Sequence, residues 1–377
     1  MTEKLKKSTE QIKTLVKKLK ALVKEFIDLN WKKLANFNQY EILGLDVGSS
    51  IVKAVQLKKD DQGYKVIAAG IAPINAGTED GEYNEEANTI RAINRCLKSA
   101  GIKTKLAVSG VYGPEVVVRD FKFPSLMPEE IESAIMLEAA QVCPFNVDDS
   151  IVDYQLTPNG KDSTCGILVA ATNSLVERKK RFIGSASLNN VLMDVEGLAL
   201  LNCLEGCEKS ETRRTKAVLN VGNSFTTLAI IGDSSLPFIR DIAYAGNDIV
   251  KKLADKNNVS VEAVRAALPG EGSADTDLNI SASLAQACHQ LVVDVNETLR
   301  YYSTQEKSDI VKEIFLCGGF APVKGFVELL DEQLSPKVVL WNPLDKMRCD
   351  AGQECRDIIQ KNGHALAVAA GFAMRSV

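Results

Sequence analysis

The stretch Gly44-Leu45-Asp46-Val47-Gly48-Ser49-Ser50-Ile51-Val52-Lys53 sets a carboxylate at the end of a strand, then small residues, then a lysine on the next strand. Backbone N–H groups and serine hydroxyls in such a turn can cradle the oxygens of a phosphate chain. Lys53 can neutralise charge there, and Asp46 can hold a hydrated Mg²⁺. Alone, a Gly-Ser-Ser turn is more often only a hairpin. A second copy, Asn220-Val221-Gly222-Asn223-Ser224-Phe225-Thr226-Thr227, has the same shape 174 residues later, so two hairpins can close on one phosphate from opposite sides. Phe315-Leu316-Cys317-Gly318-Gly319-Phe320 is a third glycine turn, at a strand-to-helix junction. Backbone can approach a flat ligand closely at such a turn, or it is a plain connection. A Walker A loop and a Rossmann G-x-G-x-x-G after a strand are both absent, which excludes the two commonest nucleotide motifs.

The elements that must position these turns follow from periodicity. Strands are expected at 41–47, 51–58 and 64–71, a helix at 85–100, and strands at 105–111 and 115–121. Pro128-Glu129-Glu130 opens a helix to about Val142, with Pro in the first turn and acids at the positive end of the helix dipole. Strands at 151–156, 165–171 and 191–195 alternate with helices at 173–184 and 196–205. The second half repeats the opening: strands at 216–221, 225–231 and 236–241, helices at 247–257, 260–267 and 280–304, a strand at 313–316 and a helix at 323–334. Asn342-Pro343 precedes a loop, a small-residue helix ends the chain at 364–374, and Gly272 to Asp277 is the most loop-like stretch. Two copies of one strand–turn–strand theme imply two related halves.

Composition bounds the class. The chain has 377 residues, 45% hydrophobic and 25% charged, which fits a soluble globular protein of roughly two to three domains. The net charge of -4 asks for no nucleic-acid partner. Residues 1–34 nevertheless carry ten Lys against four acids, so a basic arm joins an acidic body. In that arm Leu5, Ile12, Leu15, Leu19, Leu22, Phe26 and Leu29 line one side of an amphipathic helix that ends near Trp31. Lysine stems around a Trp anchor suit a membrane surface, and the same residues make a heptad seam for a partner helix; both readings stay open. Nine Cys without a C-x-x-C and only two His, His289 and His364, argue against a zinc cage and a disulfide framework. With no signal peptide or membrane span in sight, a reducing cytoplasm is expected. Cys203 and Cys207, one helical turn apart, are read as buried thiols rather than metal ligands.

In order and spacing the three glycine turns resemble the actin/Hsp70 ATPase superfamily. Within it the chain is similar to the PilM family of type IV pilus assembly, relatives of the division protein FtsA. The stretches that carry this are Phe123-Pro124-Ser125-Leu126-Met127-Pro128-Glu129-Glu130-Ile131, Glu138 to Phe145 with Asp153-Tyr154, Val195-Glu196-Gly197-Leu198-Ala199, Arg240-Asp241-Ile242 before Gly246-Asn247, Leu299-Arg300-Tyr301-Tyr302 and Asn342-Pro343. The likeness covers about residues 40–377 and leaves the arm out.

The resemblance implies an α/β, two-lobed actin/Hsp70-like fold with duplicated mixed-sheet cores and a small inserted domain. The lobes would be 40–215, with the insert at about 105–158, and 216–377, with the C-terminal helix packing back on the first lobe; 1–36 would be the helical arm. It implies ATP and Mg²⁺ in the cleft between lobes. Asp46, Gly48, Ser49, Ser50 and Lys53 would form one phosphate loop, with Asp46 on the metal through water. Asn220, Gly222, Asn223, Ser224 and Thr226 would form the other, with Gly246 and Asn247 nearby. Glu262 and Arg265, at i and i+3 of one helix, would hold ribose and base, and Gly318, Gly319 and Phe320 would complete the adenosine site. The second hairpin of the superfamily normally opens with Asp. Asn220 cannot act as a carboxylate toward Mg²⁺ or take a proton from water, so ATP binding with weak or no hydrolysis is expected.

The implied role is a cytoplasmic scaffold at the inner face of the membrane. It would meet other pilus platform proteins and hold the cytoplasmic tail of a PilN-like membrane protein in a groove beside the insert. Phe121, Phe123, Leu126 and Phe145 are candidates for that groove, or plain core. The alternatives are an active ATPase or phosphotransferase of the same superfamily, and an FtsA-like, membrane-tethered filament former.

Overall fold

The computed structural model describes residues 42–74, 84–157, 163–208, 215–232, 236–268, 280–305 and 309–375. The basic arm and the loop-like Gly272 to Asp277 lie outside the described residues.

Strands β1 (Ile42–Val47), β2 (Ile51–Asp60) and β3 (Gly63–Pro73) form an antiparallel meander. Strands β4 (Leu106–Val111) and β8 (Asn189–Val195) add to it in parallel on the β1 side. All six residues of β1 are buried, as expected of a strand covered on both faces, which therefore reads as an unbroken apolar run with one acid in it. The second sheet repeats the plan. Strands β9 (Lys216–Val221), β10 (Thr226–Ile231) and β11 (Pro237–Ile242) make the meander, and β12 (Glu313–Cys317) and β13 (Lys337–Leu340) follow in parallel beside β9.

Helices start where the sequence supplies acceptors for their free N–H groups. Asn84 caps α1 (Glu85–Ser99) by accepting from Ala87 N–H, and Thr172 caps α3 (Asn173–Ser185) by accepting from Leu175 N–H. At α2 (Pro128–Val142) Glu130 reaches back to Met127 N–H, and at α5 (Gly246–Asn257) Asp248 reaches back to Ala245 N–H. α4 (Glu196–Cys207) follows β8 without a break. α5, the short α6 (Val261–Ala267) and the long α7 (Ile280–Ser303) separate β11 from β12, and α8 (Phe326–Gln333) separates β12 from β13.

A third sheet, β5 (Val116–Pro124), β7 (Ser163–Thr172) and β6 (Ser150–Leu156) in that order, packs one face on α2. The small insert therefore runs from 116 to 172 rather than 105–158: β4 belongs to the main sheet, and 165–171 is the insert's central strand. Beyond Asn342-Pro343, expected to be a loop, the chain adds β14 (Arg348–Cys349) to the edge of β3 and forms α9 (Gln353–Asn362), which buries only Cys355 and Ile359. So thin an apolar stripe leaves a weak helical signal.

The C-terminal segment is a 3₁₀ turn, Gly363–Leu366, and then α10 (Ala367–Ala373), entirely buried against β1 and α4 of the first lobe. Small residues are required there because the backbones touch: a Cβ on Gly44 would lie 1.9 Å from Ala369 O, and one on Gly371 would lie 1.9 Å from Ala199 O. Gly371→Ala should lower the urea midpoint by the equivalent of about 1–3 kcal/mol or more. Gly184→Ala, on α3 with nothing within 4 Å of the added methyl, should instead gain about 0.5–1 kcal/mol; equal effects at the two sites would contradict the close approach.

Candidate functional site

The two glycine hairpins are built alike. Gly48 N–H donates to Ile51 O at 3.2 Å, and Gly222 N–H to Phe225 O at 3.1 Å. Their tips touch: Ser224 Oγ donates to Ser49 Oγ at 2.8 Å, and Asn223 Nδ2 reaches the same oxygen at 3.3 Å. Beneath the first tip, Asp46 and Lys53 face each other across the β1–β2 ladder with Lys53 Nζ 2.5 Å from Asp46 Oδ2. Burial pulls the Lys53 ammonium down, but the Asp46 carboxylate outweighs it, and the lysine's pKa ends above its ordinary value. The equivalent pair in the second hairpin is Asn220 and Thr227, without charge.

The third turn joins the second hairpin. Gly318, at φ 99°, donates its N–H to His364 O at 2.9 Å, and Phe320 N–H donates to Val221 O at 3.2 Å. A Cβ at Gly318 would lie 2.4 Å from Val221 O, so both the backbone conformation and the close approach require glycine. α5 begins on the same hairpin, with Gly246 N–H to Gly222 O at 3.0 Å and Asn247 N–H to Asn223 O at 2.8 Å. Arg265 on α6 donates to Asn247 Oδ1 at 2.7 Å.

These turns enclose a narrow compartment of ≈ 60 Å³ that opens into a wider one of ≈ 570 Å³; Ser50, Ile51, Gly222, Asn223 and Gly319 line both. The narrow end is polar, with Asp46, Lys53, Ser49, Asn220 and Ser224 around it. It has room for a few waters, so a polyphosphate entering it must part Ser49 from Ser224. The wide end is floored by Phe320, packed edge-on to Phe326 with ring centroids 5.0 Å apart, and flanked by Val250, Leu268 and Val323. Burial pushes the bordering His364 imidazole below its usual pKa, favouring the neutral form. Hydroxyls, an amide and an ammonium at the narrow end, and an apolar slot at the wide end, fit the two ends of a nucleotide.

Three expected site residues, Thr226, Asn247 and Glu262, do not line the cleft. Thr226 is fully buried and its hydroxyl donates to Tyr244 O at 2.8 Å. Strand alternation turns its neighbour Thr227 to the cleft instead, where it donates to Asp241 Oδ1 at 2.6 Å. Glu262 is exposed in the first turn of α6, and the partner of Arg265 is Asn247.

Sequence reasoning passed over two buried charges. Glu196, the first residue of α4, is 6% exposed and lines the narrow compartment. Burial first, and the nearby Asp46 charge second, hold its pKa well above the usual carboxylate range, against the pull of Lys179. Lys179 of α3 is 8% exposed and donates to Val47 O at 2.7 Å. Both had a readable signal: Glu196 is one of two acids, with Asp194, in an otherwise apolar run, and Lys179 falls on the helical stripe of Leu175, Val176, Phe182 and Ile183.

A second concavity, of ≈ 600 Å³, lies on the far side of the same elements. One wall is the face of the small sheet that carries Ile151, Ile167 and Val169; the other is β8 and α4, with Leu192, Val195 and Leu198. Arg375 Nε sits 2.8 Å from Asp194 Oδ2 within it. The residues expected to line a groove here point the other way. Phe121, stacked on Phe123 at 5.0 Å, packs with Leu126 and Phe145 in the core under α2. Phe121 pairs with Gly166, and on β7 the neighbours of alternate parity, Ile167 and Val169, take the groove face. Cys203 and Cys207 lie 3.9 Å apart as free thiols, and among the described residues no group of three metal-ligating side chains occurs. No helix of the described residues is long and apolar enough to cross a membrane.

Glu196 gives a pH test. A raised folded pKa means that its burial costs nothing below the unfolded value, about 4.3, and progressively more as pH rises toward the folded value. Glu196→Gln should leave Tm nearly unchanged at pH 4 and raise it at pH 8. An increment that is constant with pH would rule out the buried acid.

The comparisons with known proteins agree with this geometry. FtsA of Bacillus subtilis (strain 168) is 23% identical over 321 residues, spanning 78% of this chain and 69% of FtsA. Among solved structures, the PilM-PilN type IV pilus biogenesis complex superposes with a TM-score of 0.74 at 24% identity, over 90% of this chain and 99% of the other. The ethanolamine utilization protein EutJ from Carboxydothermus hydrogenoformans superposes with a TM-score of 0.52 at 14% identity, over 88% of each chain. The fold is thus that of the actin-like ATPase proteins. Residues 44–377 match the family described as type IV pilus assembly protein PilM, and with a match over most of its length the chain belongs to that family.

Proposed function

We propose that this protein is a nucleotide-binding scaffold of type IV pilus assembly, working at the inner face of the cytoplasmic membrane. In this reading it binds MgATP between its lobes and holds the N-terminal tail of a PilN-like membrane protein. The observation that carries the nucleotide half is the pair of matched hairpins whose tips meet over one polar compartment. Ser49, Ser50 and the backbone after Gly48 would hold phosphate from one side, and Gly222, Asn223 and Ser224 from the other. Lys53 would answer their charge, and Asp46 would reach a hydrated Mg²⁺, which would supply a second positive charge to the phosphates. Gly246, Arg265, Gly318, Gly319 and Phe320 would surround ribose and base. Asn220 supplies no carboxylate opposite Asp46, which supports retention over turnover.

The groove supports the partner half. β6 and β8 are the outer strands of their sheets, and residues of both line it. An extended peptide there can take backbone hydrogen bonds from a strand edge and place apolar side chains on Ile167, Val169 and Leu198. The solved complex of PilM with PilN makes a PilN-like tail the natural occupant.

Three measurements test this. Titration calorimetry should show MgATP binding to the full chain, weakened about tenfold or more by Asp46→Ala. Hydrolysis should stay well below ordinary enzyme rates of about 1–10 per second; rates in that range, with Asn220→Asp adding nothing, would overturn the retention reading. Leu198→Arg in the groove should abolish capture by an immobilised PilN-like N-terminal peptide and leave MgATP binding intact, whereas undiminished capture would place the partner elsewhere.

A further inference from the structure

The two hairpins share one more feature. In each, the carbonyl just before the glycine is held from outside. Val221 O accepts from Phe320 N–H of the third glycine turn. The equivalent carbonyl in the first hairpin, Val47 O, accepts from Lys179 Nζ at 2.7 Å. That carbonyl belongs to the same rigid peptide group as Gly48 N–H, which closes the turn onto Ile51 O. Lys179 thus grips one edge of the plane whose other edge sets the turn.

A buried lysine is an expensive way to make one hydrogen bond, and its surroundings show what else the charge meets. Its ammonium lies 4.8 Å from the centroid of the Tyr112 ring, whose face attracts a cation. Burial, the largest influence, lowers the Lys179 pKa, against Glu196 and Asp46, which favour the charged form, and with the cations Arg178 and Lys53, which oppose it. Lys179 is not among the residues lining either compartment of the cleft, so it acts through the hairpin.

We infer that Lys179 is a positioning residue for the first hairpin, fixing the Val47–Gly48 peptide so that the turn presents its donors to a phosphate group. This rests on the nucleotide reading proposed above, and the test separates the two. MgATP and adenosine are titrated into the full-length wild type and Lys179→Met. Adenosine uses the wide compartment and does not need the hairpin donors. A loss of about tenfold or more for MgATP, with adenosine affinity within about twofold, supports the inference. Equal losses for both ligands, the mark of a merely structural lysine, or no loss for either, would overturn it. Should Lys179→Met not fold, Lys179→Arg, which keeps the charge and displaces the donors, carries the same comparison with the same criteria. A wild type that binds neither ligand would bring down the nucleotide reading itself, and this inference with it.

Discussion

Four ionisable groups, buried or half-buried at one point, constrain the whole first lobe. Asp46, Lys53, Lys179 and Glu196 arrive from β1, β2, α3 and α4, two of each sign. Each would cost several kcal/mol if left alone in the interior. Only when all four elements stand in register does Asp46 meet Lys53 and Glu196 come near Lys179. Such clusters contribute little net stability compared with apolar packing, but they penalise every arrangement in which one element is displaced. Here the penalised displacements are those that would open or twist the first hairpin.

The second lobe shows what the same architecture does without that cluster. Asn220 and Thr227 occupy the positions of Asp46 and Lys53, and the clamp on Val221 O is a backbone N–H rather than an ammonium. Thr227 turns to Asp241, which also accepts from Gly113 N–H at 2.7 Å and so ties β11 to the loop after β4. Burial raises the Asp241 pKa against the hydrogen bonds from Thr227 and Gly113 that favour its charged form. The duplicated fold is therefore chemically one-sided, with a charged hairpin facing a neutral one. A ligand rich in negative charge meets its counter-charge from one lobe and mainly hydrogen-bond donors from the other.

Much of this was legible. The glycine turns, their 174-residue offset and the strands beside them follow from local signals: period-two alternation, small residues at turns and Pro or acids at helix starts. What was not legible depended on which way a side chain faces. Thr226 and Thr227 are adjacent and alike, and only pairing with β9 and β11 decides which one meets the cleft. Phe121 and Phe123 alternate with the exposed Asp120 and Lys122, a pattern that marks one apolar face without saying whether that face is core or groove. Lys179 sits in a run of charge, Glu177-Arg178-Lys179-Lys180-Arg181, where a solvated face is the ordinary expectation; the apolar stripe around it was the contrary sign. The insert's limits were misplaced because β7, its central strand, comes last in sequence and pairs with β5 across a helix and another strand.

The groove and the cleft are back to back, separated by single residues. On α3, Lys179 reaches the hairpin while Val176 and Lys180 border the groove. At the β8–α4 junction, Val195 faces the groove and Glu196 the cleft. A close-packed wall does not deform smoothly. Its two faces cannot be moved independently: a shift of β8 large enough to reshape the groove carries Glu196 relative to Asp46, and the buried charges resist it. The electrostatic cluster that holds the hairpin thus also sets the stiffness of the surface on which a partner peptide would rest.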